Sequence, residues 1–286
     1  MAEFHDLSEL ALNREGQSWG NLGYWQSATD YSGACRALAL LLGEQAGLDH
    51  GSVAFDAGFG CGDQLLLWLE HFRVSRIFGV NLSRSQTARA KNLLASNGRT
   101  EAASTIFQGD VNDPDIWSVA LNGARPSHVV ALDCAYHFPS RPEFLELARQ
   151  HLAPEGRLAL TDFMLAEQHR TSGFRHQILR WMLKRSHIEE TNIVQESVYR
   201  HQLLQAGFAG VCVRDISEYV MPAFSATGGK KLPWAAWFKY AVTSRFLRWA
   251  HHHSVLRYCI IVATGNGNPG HPDQKSAKTP GFADRR

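Results

Sequence analysis

The chain has 286 residues, 44% of them hydrophobic and 20% charged, and a net charge of +2. That length holds one large core with room for insertions, and the near-neutral charge calls for no polyanionic partner. No basic segment followed by a long apolar run opens the chain, no stretch nears the roughly 20 apolar residues of a bilayer span, and five scattered cysteines form no CxxC pair, so the expectation is a cytoplasmic protein with free thiols.

Residues 1–12 carry a weak helical pattern and residues 34–48 a stronger amphipathic one. Between them lies the glycine-broken aromatic loop Trp19-Gly20-Asn21-Leu22-Gly23-Tyr24-Trp25. Such a loop either packs on the first helix or lids a ligand site, and aromatic faces attract cations. Tyr24 and Trp25 are the predicted lid residues.

Val53-Ala54-Phe55 then reads as a buried strand running into Asp56-Ala57-Gly58-Phe59-Gly60-Cys61-Gly62, with a helix expected over residues 64–71. A strand that turns into a helix through glycines is where α/β folds place nucleotide-like ligands. The dinucleotide pattern would need glycine at position 63, which is Asp63. A carboxylate there competes with a pyrophosphate for the same helix-end donors. No Lys-Ser or Lys-Thr pair follows, which excludes a P-loop. The turn suits a ligand without phosphates and with a cationic end, near Asp56 and Asp63.

Asp-x-Gly-x-Gly-x-Gly after the first strand resembles the S-adenosylmethionine motif of class I methyltransferases, and the later motifs over residues 52–162 follow in the order of that family. A second strand, residues 76–80, ends at Asn81-Leu82-Ser83, with Ser83 and Gln86 spaced as a capping box. Family members usually carry an acid where this chain has Asn81; an amide can still bond a ribose diol, without charge assistance. Phe107-Gln108-Gly109-Asp110 resembles the third-strand motif, whose acid meets the adenine amino group. Residues 129–133 read as the fourth strand, and residues 134–138 resemble the segment that faces the transferring methyl. Residues 157–162 read as the fifth strand. The resemblance implies S-adenosyl-L-methionine as cofactor, held by Asp56, Gly58, Phe59, Gly60, Gly62 and Gln64 on the first turn. Asn81, Leu82 and Gln86 follow on the second, Asp110 and Val111 on the third, and Asp133 on the fourth, under Tyr24 and Trp25.

The implied fold class is α/β: a Rossmann-like, doubly wound seven-stranded sheet with an antiparallel last strand, plus helical insertions forming a cap. Residues 1–50 would be N-terminal helices and aromatic lid, and residues 51–264 the methyltransferase domain. Insertions are expected at about 163–194 and 218–254, and a disordered tail over 265–286. A helix over 196–206 and strands over 210–216 and 256–264 complete the sheet.

Methyl transfer needs a base only when the nucleophile starts protonated. His137 is the candidate base, since histidine titrates near neutral pH, its alternative being a ring that hydrogen-bonds locally or shapes the pocket; Asp133 and Tyr136 are the other catalytic candidates, each with a structural alternative in capping or packing. Asp162 is a weaker substrate-contact candidate. His251-His252-His253 reads as a solvated loop, because adjacent histidines rarely face one metal and no acid or cysteine cluster joins them. Nothing resembling the base-flipping motif follows the fourth strand.

The expected function is methylation of a small, lipophilic or aromatic metabolite of the quinone, isoprenoid or natural-product tailoring type, with oxygen, nitrogen and carbon acceptors all open. The alternatives are an RNA or protein methyltransferase and a non-catalytic S-adenosylmethionine-binding protein. The expected partner is a small molecule, with nucleic acid disfavoured. Peripheral membrane contact through the aromatic insertions and a monomeric or homodimeric state complete the expectation.

Overall fold

The fold is that of a computed structural model, which describes residues 12–224 and 234–265, less the side chains of residues 234–236 and 239. The predicted helix over 1–12 and the predicted tail lie almost wholly outside the described residues. A seven-stranded sheet forms the centre: β1 (Val53–Ala57), β2 (Arg76–Asn81), β3 (Ile106–Gln108), β4 (His128–Ala131), β5 (Arg157–Leu165), β6 (Gly210–Asp215) and β7 (Leu256–Thr264). Their spatial order is β3-β2-β1-β4-β5-β7-β6. β1 to β5 pair in parallel, while β7 runs antiparallel to both β5 and β6. This is the sheet expected from the sequence, with the order reversing between β1 and β4 where ligands bind in open parallel sheets.

The inner strands β1, β4 and β5 are apolar on both faces because helices cover both. Alternate side chains go to opposite layers: Ala54, Ile77, Val130 and Ala159 to one, Phe55, Phe78, Val129 and Leu158 to the other. The first layer is closed by α1 (Tyr31–Ala46), α2 (Asp63–Glu70) and α3 (Arg84–Ser96), through Leu38, Trp68 and Leu94. After a short α4 (Thr100–Ser104), the second layer is closed by α5 (Pro114–Leu121), α6 (Arg141–His151) and α8 (Glu196–Gln205), through Trp117, Phe144 and Tyr199. The caps follow the sequence: Asp30 accepts the Gly33 N–H and Ser83 the Gln86 N–H, satisfying amides that a helix start leaves open.

Both insertions are helical. α7 (Phe174–Arg185) follows β5; α9 (Ser217–Phe224) and α10 (Trp234–His252) join β6 to β7. β5 runs to Leu165, beyond the predicted Asp162, because β7 pairs with it along all of that length. His251 and His252 belong to the last turn of α10, not to a loop; among the described residues no cluster of three metal-ligating side chains occurs.

Candidate functional site

At the carboxyl ends of β1, β2, β3 and β4 the sheet opens into a cleft of about 330 Å³. Gly58 docks its N–H on the Val80 carbonyl at 2.7 Å, which brings the first two strand ends together. Gly60 lies in the left-handed region, with φ +57°, and a Cβ built on it meets nothing within 4 Å. Its missing side chain is therefore open cleft. Gly62 has a different reason to be glycine: a Cβ there would stand 2.9 Å from the Ala90 Cα, so its bareness seats α2 on α3.

Phe59, Gln64, Asn81, Leu82, Gln86, Asp110, Val111 and Asp133 line the cleft with the three glycines, so these motif residues are brought together. Asn81 accepts the Gly60 N–H at 3.2 Å and donates to the Gln86 side chain at 3.3 Å, so the amide ties the turn to α3. Asp110 accepts the Asn112 N–H at 2.9 Å.

Asp56 is placed differently. It is fully buried beneath the turn and does not line the cleft; both oxygens accept from Gln64 Nε2 at 2.9 Å, and one from Trp68 Nε1 at 2.7 Å. It holds Gln64, which does reach the cleft. Burial raises the Asp56 carboxyl to about 7, against the hydrogen bonds that lower it. The folded chain then binds a proton that the unfolded chain has released, so this group's penalty is absent below pH 4, grows as pH rises, and is complete above pH 7. An Asp56→Asn protein is predicted to gain stability relative to the native chain as pH rises from 5 to 8, seen as a widening gap in urea midpoint. A gap independent of pH would contradict the assignment. Of Asp56 and Asp63, it is Asp63 that lines the cleft, and it accepts the Ser18 N–H on both oxygens at 3.1 and 3.2 Å.

Tyr24 and Trp25 correct the lid prediction: neither lines the cleft. Gly23, at φ +77°, turns the chain away. The Trp25 indole donates back to the Leu22 carbonyl at 2.8 Å, and Tyr24 packs on Tyr219 with ring centroids 5.3 Å apart. The residues of this loop that do line the cleft are Ser18, Trp19, Gly20 and Asn21. The loop itself was recognisable in the sequence; which of its aromatics face the site depends on the Gly23 turn.

A second cavity of about 460 Å³ adjoins the cleft and shares Gly20, Asn21, Asp133 and His137 with it. Its walls are mostly apolar and come from the segment before β1, from β5 and from both insertions, through side chains such as Tyr31, Phe163, Met182, Phe224, Phe246 and Leu247. Tyr136 lines this cavity, not the cofactor-type cleft.

The junction is built around Asp133. Its φ of +57° is strained for a residue with a Cβ, and the Thr161 hydroxyl holds its N–H at 2.8 Å. One carboxylate oxygen accepts the Leu22 N–H at 2.7 Å; the other accepts the hydroxyls of Tyr136, at 2.9 Å, and of Tyr258. Burial lifts this carboxyl to about 6, the hydrogen bonds opposing. Tyr258 lies on β7, and nothing in its local sequence marked it.

His137 sits on a 3-10 turn, Ala135–His137, directly after β4. Its Nδ1 lies 3.1 Å from the His187 carbonyl, in the first insertion. A carbonyl only accepts, so Nδ1 carries the hydrogen and Nε2 is the basic nitrogen of the neutral ring. Asn192 pins the same turn: its amide donates to the Phe138 carbonyl at 2.7 Å and accepts the Arg141 N–H at 3.0 Å. Arg141, fully buried, donates to the Asn192 carbonyl and to Asp162 at 3.1 Å, and Tyr199 donates to Asp162 at 2.9 Å. Asp162 is thus committed to a buried ion pair and lines neither cavity, which corrects its reading as a substrate contact. An Asn192→Ala protein is expected to lose about 1–3 kcal/mol of stability, because two buried backbone groups lose their partners. Equilibrium unfolding measures it; an unchanged midpoint would contradict the pinning role.

The strand order and the glycine-lined cleft at its switch point together define a Rossmann-like α/β domain with a nucleotide-type ligand site. The methyltransferase-domain family profile matches residues 33–213, well over half of the chain, and the chain belongs to that family, of class I. Erythromycin 3''-O-methyltransferase of Saccharopolyspora erythraea is 30% identical over 205 residues, 70% of this chain and 65% of that protein. The match thus spans slightly less than two thirds of that relative's length. 27-O-demethylrifamycin SV methyltransferase of Amycolatopsis mediterranei is 28% identical over 220 residues, 73% of this chain and 74% of that one. Geranyl diphosphate C-methyltransferase from Streptomyces coelicolor A3(2), solved with S-adenosyl-L-homocysteine, superposes with a TM-score of 0.70 at 11% identity, covering 92% of this chain and 98% of that chain. The cyclase SpnF superposes at 0.66 with 19% identity, over 87% and 88% of the two chains. These structural likenesses concern the fold alone.

Proposed function

We propose that the chain is an O-methyltransferase that uses S-adenosylmethionine to methylate a hydroxyl on a bulky, largely apolar small molecule. The observation that carries this reading is the meeting of the two cavities at Asp133 and His137. One cavity has the motifs of the cofactor. The other has a greasy lining and, at the junction, a histidine whose Nε2 can take a proton. A hydroxyl must lose its proton in order to accept a methyl, and a positioned base is what that requires. The two curated relatives act, by their names, on erythromycin at a 3''-oxygen and on 27-O-demethylrifamycin SV.

The bare Gly60 backbone fits the proposed cofactor, since that cradle would be filled by a Cβ. Bound there, S-adenosylmethionine supplies an electrophilic methyl on a positively charged sulfur. Gly58, Gly60 and Gly62 would hold its body, Asn81 and Gln86 the ribose hydroxyls, and Asp110 the adenine amino group. The Asp133 carboxylate favours a cation at the junction. His137 removes the acceptor proton at Nε2 while the His187 carbonyl stabilises the resulting imidazolium. The insertions and the Ser18–Asn21 strap exclude water and align the acceptor, where positioning supplies much of the rate.

An RNA or protein acceptor matches the apolar lining less well, and a binding protein without transfer leaves the His137 arrangement unexplained. The test is incubation with methyl-labelled S-adenosylmethionine and a panel of hydroxylated polyketides, glycosides and prenylated quinols, followed by mass spectrometry. Label on an oxygen of a small acceptor is expected. Label on carbon or nitrogen, or only in the RNA or protein fraction, would contradict the proposal.

A further inference from the structure

The α7 helix has two unlike faces. Met182 and Leu183 on one face are buried and line the acceptor cavity, next to buried Leu179. On the other face Phe174 is 75% exposed and Trp181 59% exposed. They stand seven residues apart, about two helical turns, and so share one stripe. Arg185 joins that stripe, with its guanidinium 5.9 Å from the centre of the Trp181 ring.

The surroundings of the stripe are cationic. Residues 170–188 contain Arg170, Arg175, Arg180, Lys184 and Arg185 and no carboxylate. The acids begin at Glu189 and Glu190, and Glu190 pairs with Arg180 at 2.8 Å. α10, the helix across the acceptor cavity, begins with two more exposed aromatics, Trp237 at 40% and Phe238 at 47%. Among the described residues no helix is long and apolar enough to cross a membrane.

A stripe of exposed aromatics of this size on a folded domain marks a surface that something covers. The charge identifies what. Five cations and no carboxylate between residues 170 and 188 suit an anionic partner. A helix with large aromatics among three arginines and one lysine matches the composition that lies in a lipid headgroup layer, where basic residues draw it toward anionic lipid.

We propose that the exposed face of α7 docks on an anionic lipid surface, with Phe174 and Trp181 entering the headgroup region and the arginines and Lys184 meeting lipid phosphates. The helix that docks is also a wall of the acceptor cavity, and Arg185 belongs to both surfaces. A lipophilic acceptor dissolved in the bilayer would reach the cavity without crossing water. The use of the docking rests on the proposed acceptor class; the docking itself does not, so the two can fail separately.

The test is co-sedimentation of the full chain with vesicles of phosphatidylcholine alone and of phosphatidylcholine mixed with phosphatidylserine, at low and at raised salt. The native protein should sediment with the phosphatidylserine vesicles, and raised salt should release it. Phe174→Ser combined with Trp181→Ser should cut the bound fraction's partition coefficient at least about tenfold, and Lys184→Glu should cut it severalfold. Both variants should keep the native melting temperature and S-adenosylmethionine affinity. No binding to phosphatidylserine vesicles, or undiminished binding by the double variant, would overturn the proposal. So would a dimer in analytical ultracentrifugation that the double variant dissolves, since that would assign the face to a second copy of the chain.

Discussion

A His137→Ala enzyme should turn over at least about 10²-fold more slowly, with its affinity for S-adenosylmethionine unchanged. His137 lines the cofactor-type cleft and the acceptor cavity together, directly after β4. The His187 carbonyl fixes its hydrogen on Nδ1, so Nε2 is the ring nitrogen with the lone pair that can take a proton. Alanine removes both the base and this contact. His137→Asn separates the two, because an amide can still donate to the carbonyl but cannot take a proton at neutral pH. The asparagine enzyme should therefore be as slow as the alanine enzyme. Rapid-quench measurement of a single turnover reads the chemical step in both. Near-native turnover in the asparagine enzyme would leave His137 a positioning role and no basic one.

Gly60→Leu should weaken cofactor binding by about 100-fold or more while the protein stays folded, a loss of about 2.7 kcal/mol in binding. The added Cβ enters open cleft, since nothing lies within 4 Å of it. The left-handed φ costs a residue with a side chain about 1–2 kcal/mol, which a chain of this size can absorb. Gly62→Leu is the contrasting case. Its Cβ would press on Ala90, so that protein should lose melting temperature first. Calorimetric titration beside thermal unfolding distinguishes the two. Unchanged affinity in the Gly60 variant would mean that the ligand does not lie against the turn.

Much of the fold was legible because its signals are local. Short apolar runs ended by Gly58, Asn81, Gly109 and Asp133 fix strand ends, and Ser83 with Gln86 fixes a helix start. The cofactor-type cleft is built from those same strand ends, so the residues named there came together. What sequence did not reveal is set by contacts far apart in the chain. Tyr24 and Trp25 point away because of one turn at Gly23. Asp56 sits under the cleft because Gln64 and Trp68, one and two turns into α2, reach back to it. Tyr258 meets Asp133 across 125 residues, and Asn192 reaches the His137 turn across 54. The predicted strand end at Asp162 makes it a weaker substrate-contact candidate, but β5 runs on to Leu165 and leaves it in the core.

Isothermal titration of the native chain with S-adenosylmethionine, S-adenosylhomocysteine and a nicotinamide dinucleotide measures directly what the turn at residues 56–62 was built to hold. Saturable one-to-one heat with the two sulfur nucleosides, and none with the dinucleotide, is the predicted result. Binding of the dinucleotide by well-folded protein that ignores both sulfur compounds would contradict it.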